Sequence, residues 1–202
     1  MRVRPAYSPE SEREQAGNLP PGQFVTDKFP VFTYGRAPEI DIAEWRLRIF
    51  GLGNDVTLAW EDFAALPQTA VRADLHCVTR WSRLDNLWEG VAFRDVMRLA
   101  QPPPDARFVT IHCYGGYTTN LALEALLDPD VLLAHSHDGL PLAPEHGWPL
   151  RLVVPGRYGW KSAKWVNGIE FMAQDRPGFW EVRGYSSSAN PWLEERTWAS
   201  GS

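Results

Sequence analysis

The chain is 202 residues long with a formal net charge of −5, which is typical of one domain and argues against a general nucleic-acid-binding surface. Two cysteines are too few for a disulfide framework, and no apolar run approaches the length of a membrane span. The N-terminus contains no apolar signal segment, so we predict a cytoplasmic protein that binds neither nucleic acid nor membrane. Ten tryptophans and 17 prolines favour loops, edge strands and a pocket or interface lined by rings.

The N-terminal part is predicted to begin irregularly and then to alternate strands with a helix. Residues 1–23 mix proline, glutamate, serine and arginine without periodicity, so we expect an arm before the domain. Residues 24–34 are rich in β-formers but are interrupted by Pro30, which predicts an edge strand or an ordered loop. Residues 45–50 alternate apolar and basic side chains, as a half-buried strand does, and residues 57–66 have the apolar spacing of a short helix.

Further short strands and helices are predicted along the rest of the chain. Phe93–Ala100 has apolar residues spaced i, i+3, i+4 and i+7 and ends before consecutive prolines, which predicts a helix. A second helix is predicted at 121–127, and strands are predicted at 71–77, Phe108–Cys113, 131–135, 150–154 and Val166–Met172. Short strands at irregular spacing, without a βαβ rhythm, predict an α+β fold. We expect the domain to span 24–192, followed by a tail at 193–202.

Cys77 lies where an apolar strand gives way to polar and aromatic residues. A thiol at a strand end can face a cavity, and as a thiolate it suits soft or high-valent metals. Arg80, Arg83 and a protonatable His76 lie nearby in the sequence and would favour the deprotonated form. The alternative interpretation is that Cys77 is a small buried apolar side chain, as free cysteines often are.

One stretch without an acidic residue contains Arg151, Arg157, Lys161 and Lys164, and its part from Arg157 to Lys164 is predicted to be a cationic, glycine-containing loop. Lys161 and Lys164 supply charge, Ser162 supplies a hydroxyl, and the glycines expose backbone N–H groups. Together these groups could hold a phosphate, although their spacing is not that of a P-loop. The alternative is a solvated basic turn.

A His–Cys pair occurs twice, as His76–Cys77 and His112–Cys113. Two nitrogen and two sulfur ligands could form a structural zinc site. Adjacent residues on a strand point to opposite faces, however, so each pair offers one ligand to a common centre unless the backbone bends. A cysteine hydrolase is another alternative, with the first cysteine as the nucleophile and a histidine as its base.

Four segments resemble the molybdopterin-binding catalytic domain of the sulfite oxidase family, in the same order along the chain. Residues 74–82 (DLHCVTRWS) resemble the strand and loop that carry the family's molybdenum-ligating cysteine, and residues 146–151 (HGWPLR) resemble a segment that contacts the cofactor. Residues 155–165 (PGRYGWKSAKW) resemble the loop that binds the pterin phosphate. Residues 26–32 (TDKFPVF) occupy the place of the N-terminal pterin-contacting loop but depart from its usual asparagine-containing form. The resemblance covers 24–192.

The resemblance implies a mixed-sheet α+β fold, a molybdenum–molybdopterin cofactor and oxygen-atom transfer at a molybdenum ion bound by Cys77. The cofactor-binding residues that it implies are Lys28, Phe29, His76, Cys77, His112, His146, Arg151, Lys161, Ser162 and Lys164. The catalytic residues that it implies are Cys77, Arg80 and Tyr117, and we expect Trp81 to line the substrate funnel with them.

The implied partners are a small-molecule substrate and an electron donor or acceptor that the sequence does not identify. Sulfoxides, N-oxides and sulfite stay open as substrates, because Arg80 and Arg83 adjoin Cys77 while Trp81 makes the site partly apolar. We expect the chain to lack the haem and C-terminal domains of sulfite oxidases and the export signal of the relatives that repair methionine sulfoxide. A non-catalytic pterin- or anion-binding protein of the same fold and a zinc-stabilised structural module are the alternatives.

Overall fold

The computed structural model describes residues 19–198 and shows two β-sheets with short helices between the strands. The strands are β1 (Phe24–Val25), β2 (Arg46–Gly51), β3 (Val56–Ala59), β4 (Gln68–His76), β5 (Trp81–Ala92), β6 (Phe108–Cys113), β7 (Thr118–Ala122), β8 (Leu132–His137), β9 (Leu140–Pro141), β10 (Arg151–Val153) and β11 (Val166–Met172). The helices are α1 (Trp60–Ala64), α2 (Phe93–Ala100) and α3 (Leu123–Leu126), and 3-10 turns lie at Tyr114–Gly116, Pro144–His146 and Glu181–Arg183. These mixed sheets and short helices confirm the predicted α+β class.

The first sheet is organised around β5, which has 12 residues. β5 pairs in parallel with β1 and antiparallel with β4 and β8, and β8 also pairs with β9 and β10. The register of β5 against β8 shifts between Glu89 and Gly90. A Cβ atom at Gly90 would lie 2.0 Å from the carbonyl oxygen of Leu133, so only glycine allows the two strands to approach this closely.

The second sheet has the strand order β3-β2-β11-β6-β7. The central strand β11 runs parallel to β2 and antiparallel to β6, and Ile169 pairs with Ile49 on one side and Ile111 on the other. All three isoleucines are fully buried, whereas Arg46 and Arg48 on β2 are exposed. The two-residue period of a strand thus turns one face of this sheet towards the core.

Both sheets and the helix α2 contribute to one large core. Val91 and Leu133 of the first sheet belong to the same buried cluster as Ile169 of the second, and Phe93 and Val96 of α2 join them. Burial of a side chain such as Phe93 is worth about 1.5–3 kcal/mol, so this shared core holds the sheets together and fixes the loops at their edges. Between residues 19 and 198, no helix is long and apolar enough to cross a membrane.

The predicted elements differ from the observed ones mainly where strand pairing extends into a predicted helix. The predictions for Phe93–Ala100, Phe108–Cys113 and Val166–Met172 match the observed bounds. Residues 57–59 were predicted to be helical but lie in β3, where Leu58 pairs with Leu47. Residues 121–122, predicted to begin a helix, lie in β7. The largest difference is β5, a strand of 12 residues that the sequence patterns did not predict.

The ends of the described chain pack against the domain near the loop that follows β4. Leu19 and Gln23 are buried, and Gln23 Nε2 donates a hydrogen bond to the carbonyl oxygen of Cys77 at 3.2 Å. Arg196 donates from the other end to the carbonyl oxygen of Val78. Most of the predicted arm and part of the predicted tail lie outside the described residues, so the boundaries at 24 and 192 stay a prediction.

Candidate active site

A cavity of about 340 Å³ opens beside the end of β4. The rest of its wall comes from the loop at 29–34, the loop at 159–165 and a C-terminal segment that includes residues 180 and 185, together with Tyr117 and Arg151. Nine of the 20 residues that line the cavity are aromatic, namely Phe29, Phe32, Tyr34, Trp81, Tyr117, Trp160, Trp165, Trp180 and Tyr185. This size and composition are typical of a small-molecule or cofactor site.

Cys77 lies on the cavity wall at the point where β4 turns into β5. The Cys77 N–H donates to the carbonyl oxygen of Trp81 at 2.8 Å, and the Cys77 carbonyl accepts from the N–H of Arg80 at 3.0 Å. The thiol is free and half-buried, and its Sγ lies 3.1 Å from Oγ1 of Thr79. A backbone turn closed by two hydrogen bonds therefore presents a reduced thiol to the cavity.

Arg151 is a buried cation on the same wall, 3% exposed. Its Nη1 donates to the carbonyl oxygen of His146 at 3.0 Å and its Nη2 donates to that of Ser162 at 3.1 Å. The guanidinium carbon lies 5.2 Å from the ring centroid of Trp88. Burial lowers the pKa of Arg151 to about 10, so the group is still charged at neutral pH, and its buried Nε has no hydrogen-bond partner among the described residues.

Lys164 is the second cation of the wall. Its Nζ donates to the carbonyl oxygens of Phe32 at 2.9 Å and Glu145 at 2.7 Å. Burial, and then repulsion by Arg151, lowers the pKa of Lys164 to about 7. The side chain therefore joins two loops around the cavity and changes its charge near neutral pH.

Ser162 and Tyr117 also line the cavity. Ser162 Oγ accepts a hydrogen bond from the N–H of Val154 at 3.0 Å. Tyr117 donates its hydroxyl to the carbonyl oxygen of Trp160 at 2.6 Å. Burial, followed by the charge of Glu181, raises the pKa of Tyr117 well above its ordinary value, so this phenol stays neutral.

His146 lies behind the cavity wall and stacks on Phe29. The two rings stack with centroids 3.9 Å apart and an interplanar angle of 5°, and Phe29 forms part of the wall. Burial, and then the charges of Lys164 and Arg151, lowers the pKa of His146 to about 4. The imidazole is thus neutral at pH 7, and its Nδ1 is buried without a partner in the described part of the chain.

Six residues with a predicted role do not line the cavity, and His146, which lies behind Phe29, is one of them. The side chains of Lys28 and Arg80 are exposed. His76 is buried with its Nδ1 2.8 Å from Oγ of Ser82, and burial lowers its pKa to about 4. His112 Nε2 lies 2.8 Å from Oε2 of Glu170, and Lys161 pairs with Glu181 at 2.5 Å, with both side chains fully buried. The structure therefore brings together Phe29, Cys77, Tyr117, Arg151, Ser162 and Lys164, with Trp81 as expected.

Several rings of the cavity wall carried no predicted role. Trp160, Trp180 and Tyr185 are among them, as are Phe32 and Tyr34. The density of aromatic residues at 24–34 and 178–185 was the available signal. Which of these rings face one cavity depends on contacts between segments far apart in the sequence.

The predicted zinc and hydrolase alternatives find no support in this arrangement. Cys77 lies on the cavity wall, whereas Cys113 belongs to the core, and residues 19–198 contain no group of three or more His, Cys, Asp or Glu side chains that could hold a metal ion. The polar side-chain neighbour of Cys77 Sγ is Thr79, not a histidine base.

Comparison with known proteins identifies the family. The family described as "Oxidoreductase molybdopterin binding domain" matches residues 34–180, which is more than half of the chain. The uncharacterized oxidoreductase YuiH of Bacillus subtilis (strain 168) is 45% identical over 190 residues, which cover 93% of this chain and 96% of YuiH. The putative protein-methionine-sulfoxide reductase subunit YedZ1 of Azospira oryzae is 32% identical over 178 residues, covering 85% of this chain and 67% of that protein.

A solved structure agrees with this family. The crystal structure of the sulfane dehydrogenase SoxCD from Paracoccus pantotrophus aligns with a TM-score of 0.62 and 25% identity, over 68% of this chain and 40% of that one. The predicted cofactor and the predicted oxidoreductase class are thereby confirmed. The chain belongs to the family of molybdopterin-binding oxidoreductase domains and is a molybdenum-dependent oxidoreductase of the sulfite oxidase type.

Proposed function

We propose that the cavity is the catalytic site and that the enzyme transfers an oxygen atom to or from a small uncharged molecule, with Cys77 as the protein ligand of molybdenum. One observation carries this proposal: a free thiol shares an aromatic wall with two cations whose nitrogens are already held by backbone carbonyls. When bound, the molybdenum–pterin group supplies the two-electron redox change and exchanges the oxygen atom.

The side chains of the wall fit a phosphorylated pterin with a soft metal site. Cys77 offers the thiolate that such a metal prefers. Arg151 has five N–H donors, and hydrogen bonds to two carbonyls leave the unpartnered Nε and further N–H groups for an anion. Lys164 has three donors, two of them on carbonyls, so one remains. Charge-assisted hydrogen bonds from these two side chains suit a phosphate.

The same wall favours an uncharged substrate. With Arg151 and Lys164 committed to the cofactor, no third charged side chain lines the cavity among the described residues. Arg83 instead donates to Asp138 at 2.6 Å, and the side chain of Arg80 is exposed. An anion such as sulfite would lose its hydration without gaining a cation, whereas a sulfoxide or an N-oxide can bury its carbon groups against the rings.

The electron partner follows from the chemistry of the reaction. Oxygen transfer changes the redox state by two electrons, so a donor or acceptor must restore it in every turnover. We propose that a separate electron-transfer partner plays this part. The cytoplasmic location stays a prediction.

A substrate comparison tests this function. The protein is produced in a host that makes molybdopterin and assayed with dimethyl sulfoxide or trimethylamine N-oxide and a reduced viologen dye, and with sulfite and ferricyanide. We expect measurable turnover of at least one of the oxides and little or none of sulfite, because sulfite would be buried without a cation.

Two cysteine variants serve as controls for the assay. Cys77→Ser should lose turnover, whereas Cys113→Ala, which changes the core thiol, should keep it. A preference for sulfite would overturn the uncharged-substrate proposal, and activity in Cys77→Ser equal to that of the native protein would overturn the role of Cys77.

A further inference from the structure

One carboxylate lies behind a large part of the aromatic wall. Glu181 is fully buried in the 3-10 turn Glu181–Arg183, directly after Trp180 and four residues before Tyr185, both of which line the cavity. Glu181 itself does not line it. The C-terminal segment therefore brings a charge into the interior at the place where it supplies two rings to the site.

One carboxylate oxygen of Glu181 accepts three hydrogen bonds. Its Oε1 accepts from Lys161 Nζ at 2.5 Å, from Trp160 Nε1 at 3.1 Å and from Thr119 Oγ1 at 3.2 Å. Lys161 Nζ also donates to the carbonyl oxygen of Asn120 at 2.6 Å. An isolated buried charge is very costly, and here the directional hydrogen bonds compensate Oε1, whereas the buried Oε2 has no hydrogen-bond partner among the described residues.

The hydrogen bond to Trp160 connects this buried pair with the cavity. Trp160 lines the cavity, and its carbonyl oxygen accepts the hydroxyl of Tyr117. The Trp160 ring packs on Tyr158 at 5.4 Å and against Tyr185 at 5.1 Å, and Tyr185 contacts Trp180 at 5.0 Å. These rings form one contiguous array. Within it, Glu181 accepts the hydrogen bond from the indole nitrogen of Trp160.

The C-terminal segment that contains Glu181 also packs closely against β7. A Cβ atom at Gly178 would lie 2.6 Å from Cα of Thr119 and 2.8 Å from Oε2 of Glu181. The N–H of Phe179 donates to the carbonyl oxygen of Thr118 at 2.9 Å. The carboxylate is thus held at one position relative to the sheet, and the orientation of the Trp160 ring depends on it.

We propose that Glu181 is a positioning residue that determines substrate specificity: through Trp160 it sets the shape of the aromatic wall and so favours substrates with a flat apolar group over smaller ones. Lys161 serves this role as its counter-ion. The selectivity part of this inference rests on the proposed function, whereas the ordering of the rings does not.

The test separates ring positioning from stability. In the double variant Glu181→Leu with Lys161→Met, both charges are replaced together by apolar groups of similar size, a change that buried ion pairs often tolerate. In Glu181→Gln, an acceptor oxygen stays available to Trp160. Glu124→Gln removes a carboxylate from an exposed position of α3 and is the matched control.

Two readouts are measured. The first is the ratio of kcat/KM for methyl phenyl sulfoxide to that for dimethyl sulfoxide; we expect it to fall about tenfold in the double variant and about twofold or less in Glu181→Gln, because a lost orienting hydrogen bond is worth about a factor of ten. The second is near-ultraviolet circular dichroism of the cofactor-free protein, whose tryptophan signal should change in the double variant and not in Glu181→Gln or the control.

The outcomes distinguish this inference from the proposed function. If the double variant is folded but keeps both the native selectivity ratio and the native near-ultraviolet spectrum, Glu181 does not position the wall. If the native protein turns over neither sulfoxide, the proposed function fails, and the spectrum alone decides whether Glu181 orders the rings.

Discussion

The replacement of Arg151 by methionine tests whether the cavity wall depends on this buried cation for its stability. Arg151→Met keeps an aliphatic stem but removes the donors to the carbonyl oxygens of His146 and Ser162. A buried polar group without a partner costs about 1–3 kcal/mol, and relief from burying the guanidinium offsets part of the loss. We expect the cofactor-free protein to lose about 2–3 kcal/mol of unfolding free energy, which lowers the melting temperature of a chain of this size by about 5–10 °C.

The assay for Arg151→Met is urea denaturation of cofactor-free protein, supported by a thermal melt. Arg48→Met is the matched control, because Arg48 pairs with Asp55 at 3.4 Å while 58% of its side chain is exposed, and exposed pairs contribute about 0–1 kcal/mol. An Arg151→Met protein as stable as the Arg48→Met protein would refute the structural role given to the two carbonyl contacts.

Three further predictions concern the pH dependence, the thiols and the sheet. Burial lowers the pKa of Lys164 from 10.5 to about 7, so above pH 7 the unfolded chain binds more protons than the folded chain. The free energy of unfolding should therefore rise from about pH 7 towards pH 10. Denaturation curves of the native protein should show this rise, and those of Lys164→Met should show less of it. In cofactor-free protein, Ellman's reagent should modify Cys77 quickly and Cys113 slowly, since Cys113 is 5% exposed and burial raises its pKa. Gly90→Ala should cost about 2–3 kcal/mol in a melt, because its Cβ would meet the Leu133 carbonyl at 2.0 Å.

Each of these predictions has an outcome that contradicts it. A pH profile of Lys164→Met identical to that of the native protein would show that Lys164 is not the titrating group. Two thiols of equal reactivity, or a fast thiol that persists in Cys77→Ser, would contradict the exposure of Cys77. A Gly90→Ala protein of native stability would mean that the two strands can move apart freely. Gly156→Ala is the control, because no atom lies within 4 Å of its Cβ and its φ, like that of Gly90, is not positive.

The parts of the fold that were predictable are those whose pattern is local. The helix Phe93–Ala100 has a clear apolar stripe and a proline stop, and Phe108–Cys113 is rich in β-branched residues. β5 was missed because it carries buried polar residues, Ser82 and Asn86, that interrupt the apolar alternation. Their partners come from elsewhere: Ser82 bonds His76 and Gln23, and Asn86 Nδ2 donates to the carbonyl oxygen of Ala73.

The candidate site, like the fold, contains some residues that local sequence predicts and others that it does not. Cys77, Arg151 and Lys164 stand out because a thiol and two cations are chemically distinctive, and the structure brings them to one wall. Lys161 was grouped with them because it lies in the same loop, but it faces a carboxylate 20 residues further along the chain. No local pattern reports that Glu181 is buried there, so the counter-ion, and with it the direction of Lys161, follows only from the tertiary structure.

The most direct test of the central claim is to measure molybdenum, zinc and pterin per chain in the native protein, in Cys77→Ser and in Cys113→Ala, after production in a host that makes molybdopterin. We predict about one molybdenum and one pterin per native chain and per Cys113→Ala chain, and in Cys77→Ser a retained pterin with weakened metal binding and no turnover. Zinc without molybdenum in the native protein, or a Cys77→Ser protein with native metal content and native turnover, would contradict the claim that Cys77 holds the catalytic metal in this cavity.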